Sequence, residues 1–243
     1  MTSQSRPISV LLTRPSVQGE RFAADLAKRF GNAVQPVASP LMTPFLLAPE
    51  WPDIDYGCLI LTSETGVEAA VHLREAGRVL PLRAVCVGDR TASVAQAAGF
   101  NARSAHGDAE ALLRLVLGQD DPGPFLHLRG KEARGDIAPR LMAAGRTAHS
   151  AVVYEQRATP LSREARTVLS TAAPVIVPLF SPRSADLLVA EGPFRASLRI
   201  AALSQAVAEH AEALSPDEMI VAERPDGASM LDAVGTLIAH PQA

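Results

Sequence analysis

Short β-branched or leucine-rich runs alternate along the chain with longer stretches of helical period. The runs are Ile8–Leu12, Gly57–Leu61, Ala84–Val87, Phe125–Leu128, Pro174–Phe180, Leu198–Ala202 and Met219–Ala222. Between them lie helix candidates such as Gly19–Arg29, which puts Phe22, Leu26 and Phe30 on one face, and Arg134–Ala144. This order predicts βα units around parallel sheet, an α/β fold. Two segments break it: the proline-rich Gln35–Leu47 and the extended Ser150–Ala158, with Val152, Val153 and Tyr154. Neither leads directly into a strand–helix unit, so both are candidate connections between domains.

The chain also repeats itself. Leu61–Ala69 resembles Phe180–Leu187, pairing Ser63 with Ser181; Val85–Ala92 resembles Ala201–Ala208; and Leu11–Pro15 resembles Leu126–Gly130. The three matches occur in order at offsets of 118, 116 and 115 residues. An ordered, nearly constant offset implies a duplicated α/β half. Two similar lobes, joined by extended segments, are expected to leave a cleft between them, the usual setting for a small-molecule site.

Composition narrows the function classes. With 23 Lys+Arg against 26 Asp+Glu the net charge is −3, and aromatic residues make up 4% of the 243 residues. That balance excludes phosphate-backbone binding driven by bulk charge, and few aromatics argue against base-stacking platforms, so no nucleic-acid partner is expected. Cys58 and Cys86 sit in apolar runs without histidine at ligand spacing and read as buried thiols. No apolar stretch reaches membrane-spanning length and Met1–Pro7 is polar, so a cytoplasmic, unanchored protein is expected.

Ligands of parallel sheets sit beyond the strands' carboxyl ends, where the next helices point their N-termini. Here those turns carry Thr62-Ser63, Gly88 with Thr91, Ser181-Pro182 and Ser204. Read structurally, each is a helix N-cap, with Pro182 suited to the first helical position. A helix N-terminus is also an anion site, so several facing one cleft suit a ligand with several carboxylates or phosphates. Arg14, Arg129, Lys131 and Arg183 stand at or just past strand ends and add positive charge there.

No histidine pair has metal-ligand spacing, and there is no nucleophile elbow, Walker loop or dinucleotide fingerprint, so neither a metal nor a nucleotide cofactor is expected. That leaves a binding protein, or an enzyme that acts mainly by positioning a reactive substrate. Tyr154 stands out in the second connector. Its ordinary role is a packed ring with a hydrogen-bonded hydroxyl; beside a cleft, its phenol is also placed to donate to a leaving group.

Together these residues resemble the uroporphyrinogen-III synthase family. The likeness rests on Leu12-Thr13-Arg14-Pro15, Leu61-Thr62-Ser63 with Gly66-Val67, Val87-Gly88 with Thr91-Ala92, Leu128-Arg129-Gly130, Val153-Tyr154-Glu155 and Phe180-Ser181-Pro182-Arg183-Ser184. It spans Ile8–Ile238, with two departures: Glu64-Thr65 after Ser63, and a Leu203–Ala208 turn lacking the usual glycine and threonine.

The resemblance implies two α/β lobes, each a parallel sheet flanked by helices, joined by a two-stranded linker. Residues 1–35 and 158–243 are then expected to form one lobe, 46–148 the other, and 36–45 and 149–157 the linker strands. The duplication joint near Phe125 falls inside the middle lobe. The implied substrate is hydroxymethylbilane, a linear tetrapyrrole with carboxylate arms. Its terminal hydroxyl leaves as water, giving an azafulvene on ring A; ring D attacks through its substituted carbon, and a spiro intermediate recloses with ring D inverted. Unassisted closure gives the type I isomer instead. No cofactor is required. The resemblance gives Tyr154 the part of assisting the departing hydroxyl, and makes Arg14, Thr62, Ser63, Gly66, Gly88, Thr91, Arg129, Lys131, Ser181, Arg183, Ser184 and Ser204 the substrate-binding candidates. A monomer is expected, with transient contact to the upstream hydroxymethylbilane synthase. The competing expectation is a non-catalytic two-lobed binding or sensor module for an anionic small molecule.

Overall fold

The computed structural model describes residues 7–118, 123–132 and 135–239. Arg134, the first residue of the helix candidate Arg134–Ala144, lies outside them. The chain divides into two compact units, residues 1–43 with 157–243 and residues 44–156.

The first unit is built on β1 (Ile8–Leu12), β2 (Val34–Ala38), β9 (Pro174–Leu179), β10 (Ser197–Ala202) and β11 (Glu218–Val221). They form a parallel sheet in the order β11-β10-β9-β1-β2. Helices α1 (Ser16–Phe30), α6 (Arg163–Leu169), α7 (Pro182–Glu191), α8 (Gln205–Ala211) and α9 (Gly227–Ala239) flank it. Both faces of the sheet are covered. Leu11, Val175 and Val177 pack into one apolar layer with Leu188 and Val207; Val10, Leu12 and Ile176 pack into the other with Phe22, Leu26 and Val234. Burial on both faces is why these strands read as continuous apolar runs.

The second sheet is built on β4 (Cys58–Leu61), β5 (Arg83–Cys86), β6 (Asn101–Ser104), β7 (Phe125–Gly130) and β8 (Ala148–Ala158), with β3 (Met42–Leu46) at one edge. The order is β3-β8-β7-β4-β5-β6, and the ladders from β8 to β6 are parallel. Helices α2 (Glu64–Glu75), α3 (Asp89–Ala97), α4 (Ala109–Leu117) and α5 (Ile137–Ala143) cover it. Along β4, Leu59 and Leu61 face the α2 and α3 layer, while Cys58 and Ile60 face the layer of Leu112 and Leu141. Cys58 and Cys86 thus belong to opposite layers and remain buried thiols, not joined as a disulfide. Burial, with Cys58 nearby, pushes the Cys86 thiol up to about 12, so it is no nucleophile at neutral pH.

Three strands depart from the reading of the sequence. Residues 36–38, read as the start of a linker, belong to β2 and pair in register with β1 from Val10↔Pro36 to Leu12↔Ala38. Pro36 and Pro44 obscured β2 and β3; both are edge strands, where a missing N–H is tolerated. The edge strand β6 was missed because Asn101-Ala102-Arg103-Ser104 is polar and half solvated.

The duplication appears in the sheet orders. β1-β2 beside β9-β10-β11 repeats β7-β8 beside β4-β5-β6, so each unit combines the early strands of one repeat with the later strands of the other. In both sheets successive connections run in opposite directions from a central pair, β1/β9 and β4/β7. Open parallel sheets form a crevice at the carboxyl ends of such a pair.

Candidate functional site

At the β4/β7 ends, β4 hands over to α2 through Thr62 and Ser63. Ser63 is the N-cap: its backbone is extended and its Oγ accepts the Gly66 N–H at 3.0 Å. A Cβ on Gly66 would lie 3.3 Å from both the Leu128 carbonyl and Ser63 Oγ, so the helix enters close against β7. Thr62 Oγ1 lies 3.4 Å from Nε2 of His127, which is 2% exposed.

The opposite wall is made by a bulge. β7 and β8 run in register from Phe125↔Ala148 to Arg129↔Val152, and then Gly130 pairs with Tyr154, skipping Val153. One extra residue in β8 turns Tyr154 to the α2 side of the sheet, as bulges beside functional sites commonly do. The ring then lies over Gly130, where a Cβ would fall 2.6 Å from Tyr154 Cζ and 2.8 Å from its hydroxyl oxygen. The phenol meets Ser63 Oγ at 2.9 Å. Lys131 N–H donates to the Tyr154 carbonyl at 2.9 Å and closes the bulge.

The cations here are engaged. Arg129 folds back to donate to the carbonyls of Gly130 at 3.1 Å and Lys131 at 3.4 Å, while Lys131 Nζ lies 3.4 Å from Glu155. One strand over, Gly88 is the N-cap of α3 and Thr91 is buried in that helix's first turn. Asp89 opens the same helix and pairs with His106, placing a carboxylate where an anion site was expected.

In the first unit, Arg14 follows β1 and its guanidinium stacks 3.9 Å from the centre of the Phe180 ring, which in turn meets Phe22 edge-on at 5.1 Å. Burial and nearby Arg21 lower the Arg14 pKa from its ordinary value. The guanidinium stays cationic regardless. Ser181 caps α7 by accepting the Ser184 N–H at 3.1 Å; its hydroxyl also pairs with the buried Ser184 hydroxyl at 2.8 Å. Arg183 is exposed on that first turn. Ser204 stands at the N-cap of α8, but its side chain caps no N–H. A cavity of about 250 Å³ opens beside Arg14, lined by Leu12, Gly19, Pro36 and Pro40. A larger one, about 680 Å³, lies at the amino ends of β10 and β11, lined by Phe194, Arg195 and Asp217. Size therefore does not mark the site; the strand carboxyl ends carry the chemistry.

Thr62, Ser63, Gly66, Arg129, Lys131 and Tyr154 thus gather at one crevice and Arg14, Ser181, Arg183 and Ser184 at another, with Gly88, Thr91 and Ser204 one strand away in their own units. The family model for uroporphyrinogen-III synthase HemD matches residues 22–232. The chain belongs to the uroporphyrinogen-III synthase family. Family membership makes it a cyclising lyase of tetrapyrrole biosynthesis. Its fold is similar to that of uroporphyrinogen-III synthetase from Helicobacter pylori, with a TM-score of 0.64 and 16% identity over 95% of this chain and 99% of the other. A mutant uroporphyrinogen III synthase from Thermus thermophilus is similar with a TM-score of 0.50 and 16% identity, over 96% of this chain and 100% of that one. No curated protein sequence matches. No helix among the described residues is long and apolar enough to cross a membrane.

Sequence reasoning left three residues at or beside these crevices without a part: Gly130, Phe180 and His127. Gly130 and Phe180 were legible only as motif members. His127 was visible as a lone histidine inside the apolar run of β7. Burial, and then the neighbouring Arg129, lower its pKa from 6.5 to about 4. The unfolded imidazole protonates from pH 6.5 downward while the folded one stays neutral, so stability is lost as the pH falls through that window. The shift corresponds to ~3 kcal/mol at full protonation. Urea unfolding at pH 7 and at pH 4.5 is expected to show a smaller acid loss for His127→Gln than for the unsubstituted chain. Equal losses exclude His127 as the source.

Proposed function

We propose that this chain cyclises hydroxymethylbilane to uroporphyrinogen III, with Tyr154 as the proton donor to the departing hydroxyl. What supports the assignment of the acid is the phenol of Tyr154 at the β4/β7 crevice, over Gly130 and 2.9 Å from Ser63 Oγ. The Tyr154 O–H bond breaks as the substrate C–O bond breaks. Water leaves, the azafulvene cation forms on ring A, and the phenolate remains. After ring D has attacked and reclosed, the proton lost from its carbon returns to the phenolate. Positioned acids contribute roughly 10²–10⁴ in rate. The remaining task is geometric, favouring attack by the substituted carbon over direct closure.

For the carboxylate arms we propose the N-termini of α2 and α3 with Thr62, Gly66, Gly88, Thr91, Arg129 and Lys131 in the second unit. In the first unit we propose Arg14, Ser181, Arg183 and Ser184 at α7, and Ser204. Backbone N–H donors spread this binding over several helix ends. The reading includes a cytoplasmic monomer that receives substrate through transient contact with the upstream hydroxymethylbilane synthase.

The test supplies hydroxymethylbilane made in place by that upstream synthase and separates the oxidised porphyrin isomers. Type III is expected to dominate. Type I alone, at the rate seen without the protein, refutes the reading and leaves the anion-binding module.

A further inference from the structure

The Ser63 hydroxyl meets two partners. It accepts the Gly66 N–H at 3.0 Å as the N-cap of α2, and on its other side it meets the Tyr154 phenol at 2.9 Å. Its duplicate, Ser181, caps α7 in the same way but finds its second partner within its own helix, the Ser184 hydroxyl at 2.8 Å. In the second unit that position is Gly66, which has no hydroxyl to offer, and a tyrosine 91 residues from Ser63 takes the place. Capping is common to both serines. The phenol contact occurs only at Ser63, where the β8 bulge and the bare surface of Gly130 bring the ring.

We infer that Ser63 is a positioning residue for Tyr154, orienting the phenol and donating its O–H to the phenolate once Tyr154 has passed its proton to the leaving hydroxyl. The serine keeps its proton covalently throughout; only the sense of the hydrogen bond is set, from Ser63 to Tyr154. The bond strengthens as charge develops on the phenol oxygen, because O–H···O⁻ contacts are shorter and about twice as strong as neutral ones. Ser63 in turn ties that charge to the Gly66 N–H, in the first turn of a 12-residue helix whose dipole favours negative charge. This inference rests on the acid role proposed for Tyr154. It removes Ser63 from the direct ligands of the substrate.

The test is a double-mutant cycle on kcat and KM, with isomer separation. Ser63→Ala is expected to lower kcat roughly 10- to 10²-fold, the loss of a hydrogen bond to a charged group. KM is expected to stay within about threefold, because an interaction made only in the transition state is removed. Ser63→Thr keeps both hydroxyl and cap and is expected to restore most of kcat. In the Tyr154→Phe background, Ser63→Ala is expected to cost less than about twofold, since residues acting as a unit are not additive. Loss of the α2 cap is the same in both backgrounds, so it does not produce this difference. An undiminished cost in the Phe background, a loss confined to KM, or failure of Thr to restore kcat each overturns the inference while leaving the cyclase reading intact. Type I product alone from the unsubstituted chain overturns the cyclase reading itself.

Discussion

Tyr154→Phe is expected to slow turnover at saturating substrate roughly 10²- to 10⁴-fold, the contribution of a positioned acid. The substitution removes one oxygen and leaves the ring over Gly130, so little repacking follows. Its structural cost is the Ser63 contact, about 1 kcal/mol for a single hydrogen bond. Ser63 keeps its bond from the Gly66 N–H, so α2 stays capped. The isomer ratio is the more telling readout. With the acid gone, substrate that loses its hydroxyl without assistance closes directly, and the type I share of the product is expected to rise. Thermal unfolding measured beside the kinetics separates this loss from instability. Unchanged turnover with unchanged isomer ratio removes Tyr154 from the chemistry.

Gly130→Ala is expected to reach the lower end of that effect without touching a reacting atom. The new Cβ falls 2.6 Å from Tyr154 Cζ and 2.7 Å from Cε2, closer than any non-bonded contact allows, so the ring has to move. The phenol end of a side chain can swing aside, which keeps the stability cost near the ~1–3 kcal/mol of a modest overpacking. Catalysis does not share that tolerance, since a displacement of about 1 Å can cost roughly 10²-fold. A kcat decrease of about that size is therefore expected with a near-native unfolding temperature. In the Tyr154→Phe background the alanine is expected to add little, because the group it displaces is already gone. Native turnover in Gly130→Ala shows that the ring position does not matter.

The alternation of apolar runs with helical stretches was enough to locate seven strands, because strands buried on both faces must be apolar throughout. Phe22 and Leu26 are buried on the face of α1 where their spacing put them. The polar edge strand β6 and the proline-bearing edges β2 and β3 escaped that logic, since an edge needs neither continuous apolarity nor every N–H.

The candidate site was legible in pieces. Ser63 and Ser181 were readable as caps, since capping is local chemistry within four residues. Tyr154 was visible as a scarce residue type, and Gly130 only as a motif member. That Tyr154 lies on Gly130 and reaches Ser63 depends on pairing β7 with both β4 and β8, and on one skipped residue in that last ladder. Register between strands far apart in sequence is set by the packing of whole sheet faces, and a one-residue slip turns a side chain to the other face.

The duplication follows the same division. The repeat itself is written in the sequence, at offsets of 115–118 residues. Only the tertiary structure decided that each sheet takes the early strands of one copy and the later strands of the other. Similar halves present similar strand edges, so sequence similarity permits pairing within a copy or across copies. The choice belongs to the folded chain, where the exchanged strands complete two sheets whose faces are both covered.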